Sequence, residues 1–135
     1  MRILVLGGTR FIGRHLVAEC LARGHEVTVL YRGRTPSPFV GIARHVVTDR
    51  RAPTDEARQV LAETWDAIID TCASDPDDLR PTTTPLCAAG TYLLLSTCGV
   101  YRPGTSRLTE RSPTIRTELT HPVRASASRK LRCER

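Results

Sequence analysis

Hydrophobic and polar positions change period along this chain, and each change marks an element. Ile3-Leu4-Val5-Leu6 is a short unbroken apolar run, the pattern of a strand buried on both faces. Apolar residues then recur at helical spacing, at Ile12, Leu16, Val17, Cys20 and Leu21, with Arg23 in the last turn and Gly24 as C-cap. Val27 to Tyr31 reads as a second strand. Between the first strand and the helix stands Gly7-Gly8-Thr9-Arg10-Phe11-Ile12-Gly13, so the chain opens with a β-α-β unit of about 30 residues.

The rest of the chain continues the alternation. Arg34 to Gly41 is rich in proline and small residues and reads as a loop in place of a second crossover helix. Ile42 to Val47 is a third strand, and Thr54 is the N-cap of a helix from about Asp55 to Thr64. Asp66 to Cys72 is a fourth strand. Asp75 to Ala89 has helical composition broken by Pro76, Pro81 and Pro85, Tyr92 to Ser96 is a fifth strand, and Arg102 to Pro122 is a long loop. His121 to Arg135 is helical again. The pattern predicts an α/β fold, a Rossmann-type doubly wound parallel sheet of five strands in order 3-2-1-4-5, forming one domain over residues 1–135.

The glycine turn is where chemistry enters. The first turn of a helix carries unpaired N–H groups and a partial positive charge, so a strand, a glycine turn and a helix N-terminus together make a seat for a pyrophosphate. Gly7 and Gly8 supply the tight turn, and Gly13 lets the helix lie close to the strand. Arg10 stands where the dinucleotide fingerprint has its middle glycine, and its guanidinium can grip a phosphate with two parallel hydrogen bonds. At the end of the second strand, where an acidic residue would hold the ribose of NAD, the chain reads Tyr31-Arg32-Gly33-Arg34. Arginines there suit a 2′-phosphate, so NADP(H) is the expected cofactor, with NAD(H) as the alternative.

Composition narrows the field. Only 4% of residues are aromatic, which fits a core of Val, Ile, Leu and Ala between layers. The N-terminal apolar run is too short for a signal peptide or a membrane span, and five cysteines without CxxC spacing fit reduced thiols in a cytoplasm. Among them Cys98 reads as a small buried thiol. The four histidines have no metal-ligand spacing. The net charge of +6 is uneven: residues 1–106 contribute +1 and residues 107–135 contribute +5. That basic tail has no interleaved aromatics on which bases could stack, so nucleic acid is not the expected partner.

The motifs together resemble the extended and atypical short-chain dehydrogenase/reductases of the NAD-dependent epimerase/dehydratase type, matched in their N-terminal part. GGTRFIG resembles the cofactor turn of an atypical subgroup with arginine at the middle position, which makes Gly7, Gly8, Thr9, Arg10, Phe11, Ile12 and Gly13 cofactor-binding candidates. Asp49-Arg50 resembles the adenine-side acidic position after the third strand, and Asp66 to Cys72 resembles the fourth strand beside the cofactor, adding Cys72 and Ala73. Leu95 to Tyr101 looks like the segment that supplies the catalytic Ser or Thr, which assigns that role to Thr97, with Ser96 as the alternative.

The family's Tyr stands four residues before a Lys, an arrangement that puts both on one helix face. Lys130, the chain's single lysine, fits the Lys position, but Ser126 stands where the Tyr belongs. An aliphatic hydroxyl is a far weaker acid than a phenol, so turnover should be impaired. The resemblance also implies that the C-terminal substrate region of the family is missing, that an exposed sheet edge invites self-association, and that the substrate is a small molecule such as a nucleotide sugar or another carbonyl or alcohol. A nonenzymatic cofactor-sensing or RNA-binding module is the alternative reading.

Overall fold

Strand β1, Arg2–Leu6, occupies the middle of the sheet because both of its faces are apolar: Ile3, Leu4, Val5 and Leu6 are each at most 4% exposed. The computed structural model describes residues 1–80, 89–104, 107–115 and 122–134, the side chains of 122–124 excepted. After β1 come helix α1 (Phe11–Ala22), strands β2 (Glu26–Tyr31) and β3 (Arg44–Val47), helix α2 (Asp55–Leu61), strand β4 (Trp65–Asp70), strand β5 (Ala89–Leu94) and helix α3 (Pro122–Cys133). All four strand pairs are parallel, and the order is β3-β2-β1-β4-β5, as the sequence predicts. Leu6 lies between Leu30 and Asp70 in register, so the ends of β1, β2 and β4 come level at one rim.

The sheet separates two cores. On one face Leu4, Leu6, Leu30, Val46 and Ile68 pack with Trp65 and with Ala57, Val60 and Leu61 of α2. On the other, Ile3, Val5, Val27 and Val29 pack with Val17 and Cys20 of α1 and with Phe39. Phe39, at 9% exposure, reaches the core from the loop that replaces a second crossover helix, so one aromatic side chain does part of a helix's covering work. A third, smaller cluster of Val100, Ile115 and Leu131 ties α3 to the segment after β5.

Several expected boundaries move. Helix α2 begins at its predicted cap, with Thr54 Oγ1 accepting from Ala57 N at 3.3 Å, but stops at Leu61 rather than Thr64. The chain has to turn there to bury Trp65, whose indole N–H donates to Val60 O at 3.1 Å. β3 begins at Arg44 because Ile42 and Ala43 close a turn on Phe39 O. β4 ends at Asp70, two residues early, because that carboxylate caps the N–H groups of Cys72 and Ala73 and turns the chain out of the sheet. β5 begins at Ala89 instead of Tyr92.

The helical composition after Asp75 yields the 3-10 turn Pro76–Asp78; residues 81–88, with Pro81 and Pro85, lie outside the described residues. In the long loop Tyr101 pairs with Thr114 in an antiparallel bridge; residues 105–106 and 116–121 lie outside the described residues. Cys98, expected to be buried, is exposed, because Val100 is the residue of its 3-10 turn that enters the core. Ile12, expected on the packed face of α1, is 47% exposed: Gly13, Val17 and Cys20 form that face, and the first turn stands beyond the sheet. Among the described residues no helix is long and apolar enough to cross a membrane.

Candidate functional site

A cleft of about 610 Å³ opens where the strands end, lined by the glycine turn after β1, the end of β2, the segment after β3 and the turn after β4. Parallel strands with crossover connections place ligand clefts at this rim, where the order of strands reverses. Gly7, Gly8, Thr9, Arg10, Arg32, Asp49, Arg50 and Cys72 border it. Tyr31, Arg34, Thr35, Arg51, Thr71 and Asp78 join them there.

The glycines have separate structural reasons. Gly7 and Gly8 have φ of +105° and +91°, and a Cβ on Gly7 would stand 2.3 Å from Thr71 Oγ1. On Gly13 a Cβ would meet Gly8 N at 2.8 Å and Gly8 Cα at 2.9 Å, so helix and turn touch backbone to backbone. Arg10 is the N-cap of α1 and makes no side-chain cap bond, so the first-turn N–H groups are left to another acceptor. Phe11 adopts φ +38°, an unusual conformation for a bulky residue, and is 80% exposed. Neither Phe11 nor Ile12 borders the cleft by its side chain, so any part they play there falls to their backbone.

Charge around the cleft is unbalanced. Arg51 Nε binds Asp78 Oδ1 at 2.7 Å, and Arg50 Nη1 binds Asp70 Oδ2 at 2.7 Å. Arg10, Arg32 and Arg34, in contrast, have no ion-pair partner among the described residues. Three guanidiniums without an ion-pair partner therefore line the cleft with one carboxylate, Asp49, whose Oδ1 accepts from Arg51 N at 3.0 Å. Cys72 also faces the cleft; the residue is exposed, and desolvation, against the pull of Arg50, pushes its thiol up.

Beneath the cleft lies a network that periodicity did not reveal. Asp70 is fully buried and accepts four hydrogen bonds: Arg50 and Tyr92 Oη (2.9 Å) on Oδ2, and Cys72 N (3.0 Å) and Ala73 N (2.8 Å) on Oδ1. Burial opposes the charge on Arg50, yet the Asp70 hydrogen bond and charge outweigh it and raise the guanidinium's pKa. Burial, then the Asp70 charge, pushes the Tyr92 phenol far above its usual range, so Tyr92 is a donor here and not an acid. Arg50, a candidate for the adenine side, borders the cleft with its guanidinium turned to Asp70. The one signal of this network in the sequence was an acidic residue closing an apolar strand, at Asp70.

The catalytic candidates Thr97, Ser126 and Lys130 are not among the residues that line the cleft. Lys130 is 8% exposed and its Nζ donates to Ala73 O at 2.6 Å, which brings it to the turn after β4. Ser126, one turn earlier on α3, is exposed. Thr97 is exposed and its Oγ1 accepts from Gly99 N at 3.3 Å, capping the 3-10 turn Cys98–Val100. Neighbouring Ser96 donates to Glu134, which follows α3.

Residues 3–135 match the description "NAD dependent epimerase/dehydratase family". The 2'-dehydrokanamycin reductase of Streptomyces kanamyceticus is 30% identical over 106 residues, a match covering 78% of this chain and 30% of that protein. The chloroplast stem-loop binding protein of 41 kDa b of Arabidopsis thaliana is 28% identical over 113 residues, covering 74% of this chain and 30% of that protein. The UDP-glucose 4-epimerase from Bifidobacterium longum, solved in complex with NAD+ and UDP, has the same fold, with a TM-score of 0.77 at 22% identity over 99% of this chain and 47% of that one. This chain therefore spans 30% of the length of those two curated relatives. With its glycine turn, its strand order and a match running nearly end to end, the chain belongs to the NAD dependent epimerase/dehydratase family.

Proposed function

We propose that the cleft binds NADP(H), as the cofactor domain of a reductase- or epimerase/dehydratase-type oxidoreductase, and that this chain turns over slowly or not at all. The observation that carries the cofactor reading is Arg32 at the end of β2, unpaired and beside Arg34, in a cleft whose other free guanidinium, Arg10, stands at the N-terminus of α1. A diphosphate fits the α1 end, whose N–H groups lack partners, and a 2′-phosphate fits the pair Arg32 and Arg34. Asp49 suits the adenine edge. A nicotinamide supplies the hydride chemistry when bound.

The protein's own groups define the rest. Lys130, whose Nζ donates to Ala73 O in the turn after β4, is read as the holder of a ribose hydroxyl, and Thr97 as the hydroxyl that assists it. Ser126 cannot release a proton near neutral pH as a phenol with a lowered pKa can, which supports impaired turnover. A nucleotide sugar or another carbonyl or alcohol is the substrate class that the relatives' names suggest. Calorimetric titration with NADPH and NADH tests the reading: NADPH should bind at least about tenfold more tightly, and heat from neither nucleotide removes it. Ser126→Tyr should raise ketone-dependent NADPH oxidation if the absent phenol limits turnover.

The relative named for stem-loop binding and the +5 charge of residues 107–135 favour a second reading, an RNA-binding module. Its electrostatic form requires affinity for a stem-loop RNA to fall steeply between about 50 and 200 mM salt. Salt-independent binding, or none at low salt, excludes it.

A further inference from the structure

Arg50 and Lys130 lie 80 residues apart in the sequence, on the segment after β3 and on α3, yet an unbroken line of hydrogen bonds joins them. From the Arg50 guanidinium it passes to Asp70 Oδ2 (2.7 Å), from Asp70 Oδ1 to the N–H of Ala73 (2.8 Å), and from the carbonyl of Ala73 to Lys130 Nζ (2.6 Å). Arg50 is 7% exposed and Asp70 fully buried, so water does not compete for these bonds. Arg50 Nη1 also reaches Asp78 O at 3.4 Å, whereas Nη2 is buried with no partner, so the guanidinium is oriented by Asp70 and the Asp78 carbonyl at the expense of its Nη2 donors. Tyr92 holds the same carboxylate from β5, so Asp70 has little freedom to follow a different partner.

We propose that Arg50 is a positioning residue: acting through Asp70, it holds the turn after β4 so that Ala73 O seats Lys130, the residue read above as the holder of the nicotinamide ribose. The inference rests on the reading of the cleft as an NADP(H) site and adds a division of labour to it. Arg32 and Arg34 serve the adenine half directly, whereas Arg50, although it lies on the adenine side, serves the other half. Without its counter-charge the Asp70 carboxylate takes up water or reorients, the N–H groups of Cys72 and Ala73 lose their acceptor, and the carbonyl that Lys130 grips moves with them.

The test compares two probes, NADPH and adenosine 2′,5′-bisphosphate, the latter carrying only the adenine half. Arg50→Met and Lys130→Met should each weaken NADPH about tenfold and quench the enhanced fluorescence of its bound nicotinamide, while the bisphosphate binds within about twofold of the parent. The double variant Arg50→Met/Lys130→Met should be no worse than either single one, because both break the same line. Additive losses, or a bisphosphate affinity that falls as far as that of NADPH, would overturn the proposal.

Should Arg50→Met leave Asp70 too destabilised to fold, Arg50→Met/Asp70→Leu removes both charges together. It should show the same NADPH-selective loss, and unchanged NADPH affinity would overturn the proposal. A parent chain that binds neither probe would bring down the cleft reading, and this inference with it.

Discussion

The side chain of Thr71 occupies the space that a Cβ on Gly7 would need: the two would stand 2.3 Å apart, and Thr71 Oγ1 is itself committed to Leu6 O at 3.0 Å. The turn that starts the cleft and the turn after β4 are thus fitted to each other without slack. Gly7→Ala should destabilise the chain by more than the roughly 1–2 kcal/mol that positive φ alone costs, and should weaken nucleotide binding. Gly24→Ala is the control, since its φ is +75° but nothing lies within 4 Å of the added Cβ. Urea denaturation of both variants, with calorimetry on Gly7→Ala, measures the difference.

Arg32 is the residue on which cofactor choice turns. Arg32→Ala should weaken NADPH about tenfold or more, the loss of a charge-assisted phosphate contact, and leave NADH nearly unchanged. Arg32→Glu should shift preference to NADH, because a carboxylate repels the 2′-phosphate and accepts from the free ribose hydroxyl. Equal losses for both nucleotides would reassign Arg32 to the shared diphosphate.

Asp78 provides a pH-dependent brace beside the cleft. Burial raises its pKa, but the hydrogen bond from Arg51 and the N–H of Ser74 outweigh burial and hold the carboxyl below its usual range. A carboxyl depressed on folding contributes stability above its unfolded pKa of about 4, and that contribution is lost as pH falls through the folded value. Asp78→Asn should therefore cost about 1–2 kcal/mol at pH 7, discounted because Arg51 is half exposed, and progressively less below about pH 4. Thermal melts of both proteins across that range give the crossing.

Trp65 is the only tryptophan and is 1% exposed, so its fluorescence reports directly on the core around α2. Its indole N–H donates to Val60 O and its ring lies 4.9 Å beneath the Arg2 guanidinium. Trp65→Phe should cost roughly 1–3 kcal/mol by leaving Val60 O unpaired and a gap beside it. A smaller change in the urea midpoint would show that the N-terminal end of β4 is loosely packed.

Much of the fold was legible because its signals are local. A buried parallel strand needs an unbroken apolar run, an amphipathic helix needs its 3.6-residue stripe, and both were present from Ile3 to Tyr31. Element ends were less legible. Asp70 terminates β4 by capping Cys72 and Ala73, and α2 stops at Leu61 so that Trp65 can be buried; both depend on partners that periodicity does not weigh. In the site, the glycine turn and Arg32 were readable from composition and spacing, while Asp70, Tyr92 and the pairing of Arg51 with Asp78 were not.

From its residue order alone this protein determined a parallel sheet in the order 3-2-1-4-5 and a glycine turn at the head of its first helix, since periodicity and positive φ are properties of neighbours along the chain. Only the tertiary structure decided which arginines line the cleft without an ion pair and which two, Arg50 and Arg51, are spent on carboxylates: Arg50 and Asp70 are 20 residues apart and meet because β3 and β4 end at the same rim. The same holds for Ile12 and Cys98, whose exposure follows from where the sheet ends and not from their hydrophobicity. Charge pairing and burial depend on distances in space, and a linear sequence carries those only after the chain has folded.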